Sequence, residues 1–203
     1  MSRKILDVSS YQGVIDWREV ASHVEYGGGI VRTTTKDGKL DTKFLANSNG
    51  IINNIVDGPN PNFTYYAGYK FAYTRDHMSA YIEASKTLYE IEKAGFLPSM
   101  ARFYLDLEKW GGRDYKTNEA TEVIKGYREA CADFKIPFGL YCNYNYIKHI
   151  IDPMWSKNVY LWLARYNNVM GDVSPWSPAL WQYTSKGSVS GINGNVDISE
   201  VIL

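Results

Sequence analysis

Short apolar runs alternate along this chain with longer stretches in which apolar residues recur every three or four positions. KILDV (4–8) has the β-rich character of a strand, and Gln12-Gly13 marks a turn after it. Asp16 is placed to cap a helix over 17–26, where Trp17, Val20, Ala21 and Val24 fall at helical spacing. GGIVRTT (28–34) predicts a second strand, followed by a helix near 42–56 that Gly50 weakens. DGPNPN (57–62) is dense in loop residues, and YYAGYKFAY (65–73) predicts the third strand. Two helices carry clearer stripes: Tyr81, Ala84, Leu88 and Ile91 within 78–94, stopped by Gly95, and Ala120, Val123, Ile124, Tyr127, Cys131 and Phe134 within 117–134. ARFYLDLE (101–108) lies between them as a strand, and FGLYCNY (138–144) and NVYLWLARY (158–166) predict two more.

After Tyr166 the pattern changes. ALWQYT (179–184) and GNVDI (194–198) have strand character, but the connections hold Gly, Pro and Ser and show no helical stripe. Five βα units followed by three strands predict an α/β fold, an irregular eight-stranded TIM-like barrel of (β/α)5β3 type. An open doubly wound sheet is the alternative. No repeat or linker divides the chain, so residues 1–203 are expected to form a single domain.

Composition narrows the function. Lys plus Arg equal Asp plus Glu at 22 each, without the basic excess of a nucleic-acid binder, so no nucleic-acid partner is expected. No apolar run of membrane-spanning length occurs, and the start, MSRKILDVSS, lacks the apolar stretch of a secretory signal. Cys131 and Cys142 have no metal-type spacing, and His23, His77 and His149 are scattered, so neither a metal nor a cofactor is expected. Seventeen Tyr and six Trp can fill a core or line a sugar cleft, and composition does not separate the two.

The chemistry concentrates in FYLDLEKW (103–110). Strand alternation puts Asp106 and Glu108 on one face with Tyr104, and Phe103, Leu105 and Leu107 on the other. Both carboxylates then sit at the strand's C-terminal end, where α/β barrels hold their active sites. Two acids about 7 Å apart by strand rise repel, which keeps one protonated as an acid near neutral pH. Glycoside cleavage needs that pair: an acid for the leaving oxygen and a negative charge for the oxocarbenium-like transition state. The plainer reading is an exposed strand end with two solvated acids.

Asp7 interrupts the apolar first strand, and Asp197 does the same in the last. Each alone reads as a turn or capping acid. In a closed barrel the first and last strands are neighbours, so the two would stand side by side in an acidic cleft with Asp106 and Glu108. Tyr69, Tyr141, Trp162, Trp181 and Gln182 fall on or at the ends of strands. They are candidates for substrate binding, with barrel core as the alternative, most of all for Trp162.

Together these segments resemble glycoside hydrolase family 25, the lysozymes of phage endolysins and bacterial wall-degrading enzymes. ILDVSSYQGVIDW is similar to that family's opening block, FYLDLE to its D-x-E strand, and LWLARY and LWQYTSKGSVSGINGNVDIS to its closing blocks. The resemblance spans residues 5 to 199, with the blocks in order. It implies an N-acetylmuramidase that cuts the β-1,4 bond between N-acetylmuramic acid and N-acetylglucosamine in peptidoglycan glycan strands; a monomer is expected. By motif position the resemblance makes Glu108 the expected proton donor. Asp106 is the nucleophile or the group that orients the substrate's acetamido oxygen, and Asp7 and Asp197 are the further acids of the cleft. The expected place of action is the bacterial cell wall, and without a signal peptide a phage lysin released by another factor fits.

Two departures fall near the expected rim. TTTKDGK (33–39) stands where many members carry Ala-Thr-Glu-Gly, and Tyr69-Lys70-Phe71 where Tyr-His-Phe is common. Both bear on which glycans or stem peptides are accepted. Two other readings remain: a glycan-binding module that has lost catalysis, and a chitinase-like hydrolase of another N-acetylated glycan.

Overall fold

All eight anticipated strands form in the computed structural model, which describes residues 3–58 and 64–202. They are β1 (Lys4–Val8), β2 (Tyr26–Arg32), β3 (Tyr65–Phe71), β4 (Arg102–Asp106), β5 (Phe138–Asn143), β6 (Tyr160–Ala164), β7 (Pro178–Gly187) and β8 (Val196–Val201). The strands close into a barrel in sequence order. β1 to β7 run parallel, and β8 is antiparallel to both β7 and β1. The eight-stranded α/β barrel expected from the sequence is therefore present, and the open sheet is not.

Helices cover the first five crossings: α1 (Trp17–Ala21), α2 (Phe44–Ile51), α3 (His77–Lys93), α4 (Thr117–Asp133) and α5 (Tyr144–His149). Asp16 caps α1 as expected, accepting from the backbone N–H groups of Arg18 and Glu19 at 3.1 Å. That helix ends five residues short of the expected 26. Val24, which matched its spacing, is 64% exposed and so gives no burial to extend it. α2 continues as a π-helical turn over Ile52–Val56. Gly50 in α2 has a packing reason, because a Cβ there would lie 1.9 Å from the Trp17 ring. Gly95 ends α3 in a left-handed conformation at φ 82°. Residues 59–62 of the anticipated 57–62 loop lie outside the described residues.

The fifth strand was expected to run to Tyr144, and the helix of the fifth βα unit had no range. In the structure Asn143 ends β5 and caps α5, its side-chain oxygen accepting from the N–H of Tyr146 at 3.1 Å. A six-residue helix is too short to show a repeating stripe. After β6 no helix follows among the described residues. Val173, Trp176, Val189 and Ile192, all buried, pack from loops against the barrel's outer wall in place of one.

Two apolar layers hold this frame together. The outer one lies between strands and helices and includes Leu6, Val31, Phe103, Leu105, Leu107, Leu140 and Leu163. The inner one fills the barrel with Ile5, Ile30, Tyr65, Ala67, Tyr104, Tyr141, Trp162 and Leu180. Trp162 is its centre: its ring centroid lies 4.4 Å from that of Tyr141 and 5.3 Å from that of Tyr104. Its indole N–H donates to Ser199 Oγ at 2.9 Å, and the Tyr65 and Tyr104 hydroxyls meet at 2.7 Å. Much of the aromatic excess thus plugs the barrel, and polar tips allow those rings to be buried without unpaired groups.

Candidate active site

Alternation within each strand decides what faces the mouth of the barrel. On β1, Asp7 follows Ile5 inward, and on β4, Asp106 follows Tyr104. Glu108 continues that alternation two residues beyond the end of β4. Because β8 runs antiparallel, its beginning lies at the mouth, and this brings Asp197 directly opposite Asp7 across the β1–β8 seam. Asp106 stands level with Tyr141, and Arg32 with Tyr69. All four acids anticipated from the sequence therefore meet at one end of the barrel.

Their environment favours protons. Asp106 is only 7% exposed, and its Oδ1 has no hydrogen-bond partner in the protein. Burial first, then the charges of Glu108 and Asp7, push its carboxyl well above the ordinary range. Burial and Asp197 raise Glu108, opposed by a hydrogen bond from Tyr141. Asp7 is raised by burial and by Asp197, opposed by hydrogen bonds from Tyr69 and Gln182. Asp197 is raised by burial alone. Each acid thus sits where a proton is easier to keep than in water.

Gln182 organises this cluster from below. Its Nε2 donates to Asp7 Oδ2 at 3.3 Å, and its Oε1 accepts from the hydroxyls of Tyr141 and Tyr166, each at 2.9 Å. That pattern settles which way the amide points. Gln182 itself has no exposed surface, so the substrate contact anticipated for it gives way to a positioning role.

Trp162 and Trp181 also depart from the anticipated binding set. Trp162 is 1% exposed at the centre of the barrel plug, beneath the acids. Trp181 is a strand neighbour of Gln182 and so points the opposite way, level with outward-facing Leu163. Its indole donates to the Arg165 carbonyl at 2.8 Å on the outer wall. Tyr69 and Tyr141 do stand at the cleft, where their hydroxyls favour the charged forms of Asp7 and Glu108.

Arg32, Tyr73 and Tyr166 join the cleft without having been read from the sequence, whereas the departures around Lys36 and Phe71 do lie at its rim. Beside Asp106 opens a cavity of about 210 Å³ lined by Arg32, Thr34, Thr35, Lys36, Tyr69, Phe71 and Tyr73. The Arg32 guanidinium is held by Asp41 Oδ2 at 2.5 Å and by Ser10 Oγ at 2.6 Å. Tyr166, 52% exposed, reaches Gln182 from beyond β6. The signal for Arg32 was a charge at an inward position two residues after Ile30, hidden because the predicted strand ran on to Thr34. Among the described residues, no group of three or more His, Cys, Asp or Glu is arranged to hold a metal ion.

Residues 6–192 match the family described as Glycosyl hydrolases family 25. None of the curated protein sequences matches the chain. Among solved structures, the modular autolysin LytC from Streptococcus pneumoniae is similar at 26% identity and a TM-score of 0.83, over 99% of this chain and 47% of that one. The chain thus spans about half the length of that relative. The CTP1L endolysin is similar at 24% identity and a TM-score of 0.77, over 98% of this chain and 66% of that one. The bacterial lysozyme from Streptomyces coelicolor has the same fold at 19% identity and a TM-score of 0.77, over 99% of this chain and 92% of that one.

Proposed function

This chain belongs to glycosyl hydrolases family 25, and from that premise we propose that it is a peptidoglycan hydrolase, cutting the β-1,4 bond between N-acetylmuramic acid and N-acetylglucosamine. The observation that carries the reading is the convergence of Asp7, Asp106, Glu108 and Asp197 at one barrel mouth, each holding its proton more tightly than a solvated acid. A solvated strand end would raise none of them.

Glu108 acts as the general acid. It is the half-buried member of the D-x-E pair, raised by burial and by Asp197, and so remains protonated at a pH where an ordinary glutamate is ionised. Asp106 lies one step deeper, with an unpaired oxygen and a raised proton affinity. A recessed carboxyl with raised proton affinity is a poor nucleophile. It is well suited to holding the substrate's acetamido group so that its own oxygen attacks the anomeric carbon. Asp7 and Asp197 supply negative charge as the oxocarbenium-like centre develops, and Asp7 is kept in place by Gln182 and Tyr69. Tyr141 has a single proton to give. It reaches Gln182 while Glu108 is an acid and is free to turn to Glu108 once that group becomes a carboxylate.

On this reading the barrel is one catalytic domain that works as a monomer on the bacterial cell wall and needs no cofactor. The test is Glu108→Gln with purified cell walls. Lysis should fall by about 10²–10⁴-fold with the fold unchanged, as expected for loss of a positioned acid. Mass spectrometry of the released muropeptides should show muramic acid at the new reducing ends. Release of no reducing ends by the wild type would instead identify a glycan-binding module, and faster turnover of chitin oligomers a chitinase-like enzyme.

A further inference from the structure

Lys36 stands alone at the rim of the cleft. It lines the cavity beside Asp106 together with Arg32, Tyr69, Phe71 and Tyr73. Its ammonium lies 5.7 Å from the Tyr73 ring centroid and 5.9 Å from that of Trp110. Arg32 in the same wall is already neutralised by Asp41, whereas Lys36 makes no ion pair among the described residues. Its neighbour Asp37 is turned toward Thr35 and Lys39.

The turn that carries Lys36 is fastened from below. Lys70, 1% exposed, donates through Nζ to the Thr35 carbonyl at 2.5 Å. The Thr35 N–H donates to the Lys39 carbonyl at 2.9 Å, and Thr34 pairs with Leu40 as an antiparallel bridge. The two departures from the family pattern thus form one device. Lys70 anchors the loop, and Lys36 lies beside two rings at the cavity with no ion-pair partner among the described residues. A lysine held at the mouth of this cavity without an ion-pair partner is placed to meet an incoming carboxylate.

We propose that Lys36 is a specificity-determining residue that receives a carboxylate carried by the muramyl unit of the glycan. The proposal rests on the hydrolase reading above and deepens it, because chitin has no such group. Two sources share this chemistry: the lactyl carboxylate, free where the stem peptide has been removed, and the carboxylates of the stem peptide itself.

The experiment compares wild type, Lys36→Gln, Lys36→Arg and Glu108→Gln on intact peptidoglycan and on peptide-stripped glycan strands. Each substrate is used before and after carbodiimide amidation of its carboxylates. Lys36→Gln is expected to lower kcat/KM about ten-fold on a charged substrate, the loss of one charge-assisted contact, with Tm unchanged. Lys36→Arg should restore most of the rate. Amidation should cost the wild type a similar factor and Lys36→Gln nothing more. An effect on stripped strands assigns the lactyl carboxylate, and one confined to intact peptidoglycan assigns the stem peptide. If Lys36→Gln and wild type respond equally to amidation on both substrates, the proposal is overturned. Loss of lysis in Glu108→Gln within the same preparations keeps the hydrolase reading standing in that case.

Discussion

Asp7 and Asp197 face each other as directly paired residues across the antiparallel seam that closes the barrel. Like charges opposite one another in a sheet repel, and both groups are also buried enough to favour the neutral form. The seam is therefore held in spite of its acids. The inner aromatic plug and the β7–β8 pairing supply the stability that these two residues subtract.

Replacing Asp197 by Asn should stabilise the fold while lowering activity. Removing a like-charge cross-strand pair is worth about 0.2–1 kcal/mol. A 1 kcal/mol gain raises Tm by about 2–4 °C in a domain of this size. The sign follows from linkage: a carboxyl whose pKa is raised on folding costs nothing below its unfolded pKa, and stability is lost as pH rises through the folded value. Wild-type Tm should therefore climb as pH falls from neutrality toward the ordinary carboxylate range, and Asp197→Asn should flatten that rise. Calorimetric scans across this range decide the matter, and a lower Tm at neutral pH in the variant would contradict it.

The same substitution should move the pH profile of catalysis. Asp197 is the largest charge acting on Glu108. Without it Glu108 loses its proton more readily, so the alkaline limb of kcat/KM should shift to lower pH. Activity profiles of Asp197→Asn on soluble glycan strands measure this directly. An unmoved limb would mean that another group sets it.

Gln182 offers a test of positioning. Leucine there removes the donor to Asp7 and the acceptor for two tyrosine hydroxyls, leaving polar groups unpaired at a buried point. A loss of about 1–3 kcal/mol in stability is expected. kcat should fall with KM nearly unchanged, because Gln182 has no surface to offer a substrate. A raised KM with unchanged kcat would return Gln182 to the binding surface.

Trp162→Phe separates core from cleft. The substitution deletes the hydrogen bond to Ser199 and part of the contact with Tyr141 and Tyr104. Stability should drop by about 1–3 kcal/mol, the cost of an unpaired buried hydroxyl. KM on glycan strands should stay within two-fold, on the order of 0.4 kcal/mol. Chemical denaturation and steady-state kinetics on one preparation report both.

The strands were legible because a barrel wall imposes a strict inside and outside, and β4 shows it residue by residue from Phe103 to Glu108. The meeting of Asp7 and Asp197 was legible for the same reason: an acid in an apolar strand is conspicuous, and closure makes first and last strands neighbours. The direction of Trp181 was harder. A one-residue difference in register separates it from Gln182 and reverses its face, and the pattern LWQYT does not say which of the two points inward. The bounds of α5 were not legible because six residues carry no period, although Asn143 was its signal. Lys70 appeared only as an oddity of sequence. Its tie to the Thr35 carbonyl joins segments 35 residues apart, a relation no local pattern contains.

Asp106 carries the remaining mechanistic choice, and an intermediate analogue can address it. If Asp106 holds the acetamido group for internal attack, the reaction passes through a bicyclic oxazolinium-like species. A muramyl or glucosaminyl thiazoline copies that shape without being hydrolysed. Sites complementary to such species bind their mimics at least about 10²-fold more tightly than substrate. Wild type should therefore be inhibited well below its KM. Asp106→Asn, which cannot polarise the amide in the same way, should lose most of that affinity along with its activity. If instead Asp106 is the nucleophile, a 2-fluoro glycosyl substrate will leave a covalent adduct on Asp106, visible in the intact mass, and the thiazoline will bind no better than the parent sugar. The raised proton affinity of Asp106, driven first by burial and then by Glu108, favours the thiazoline result.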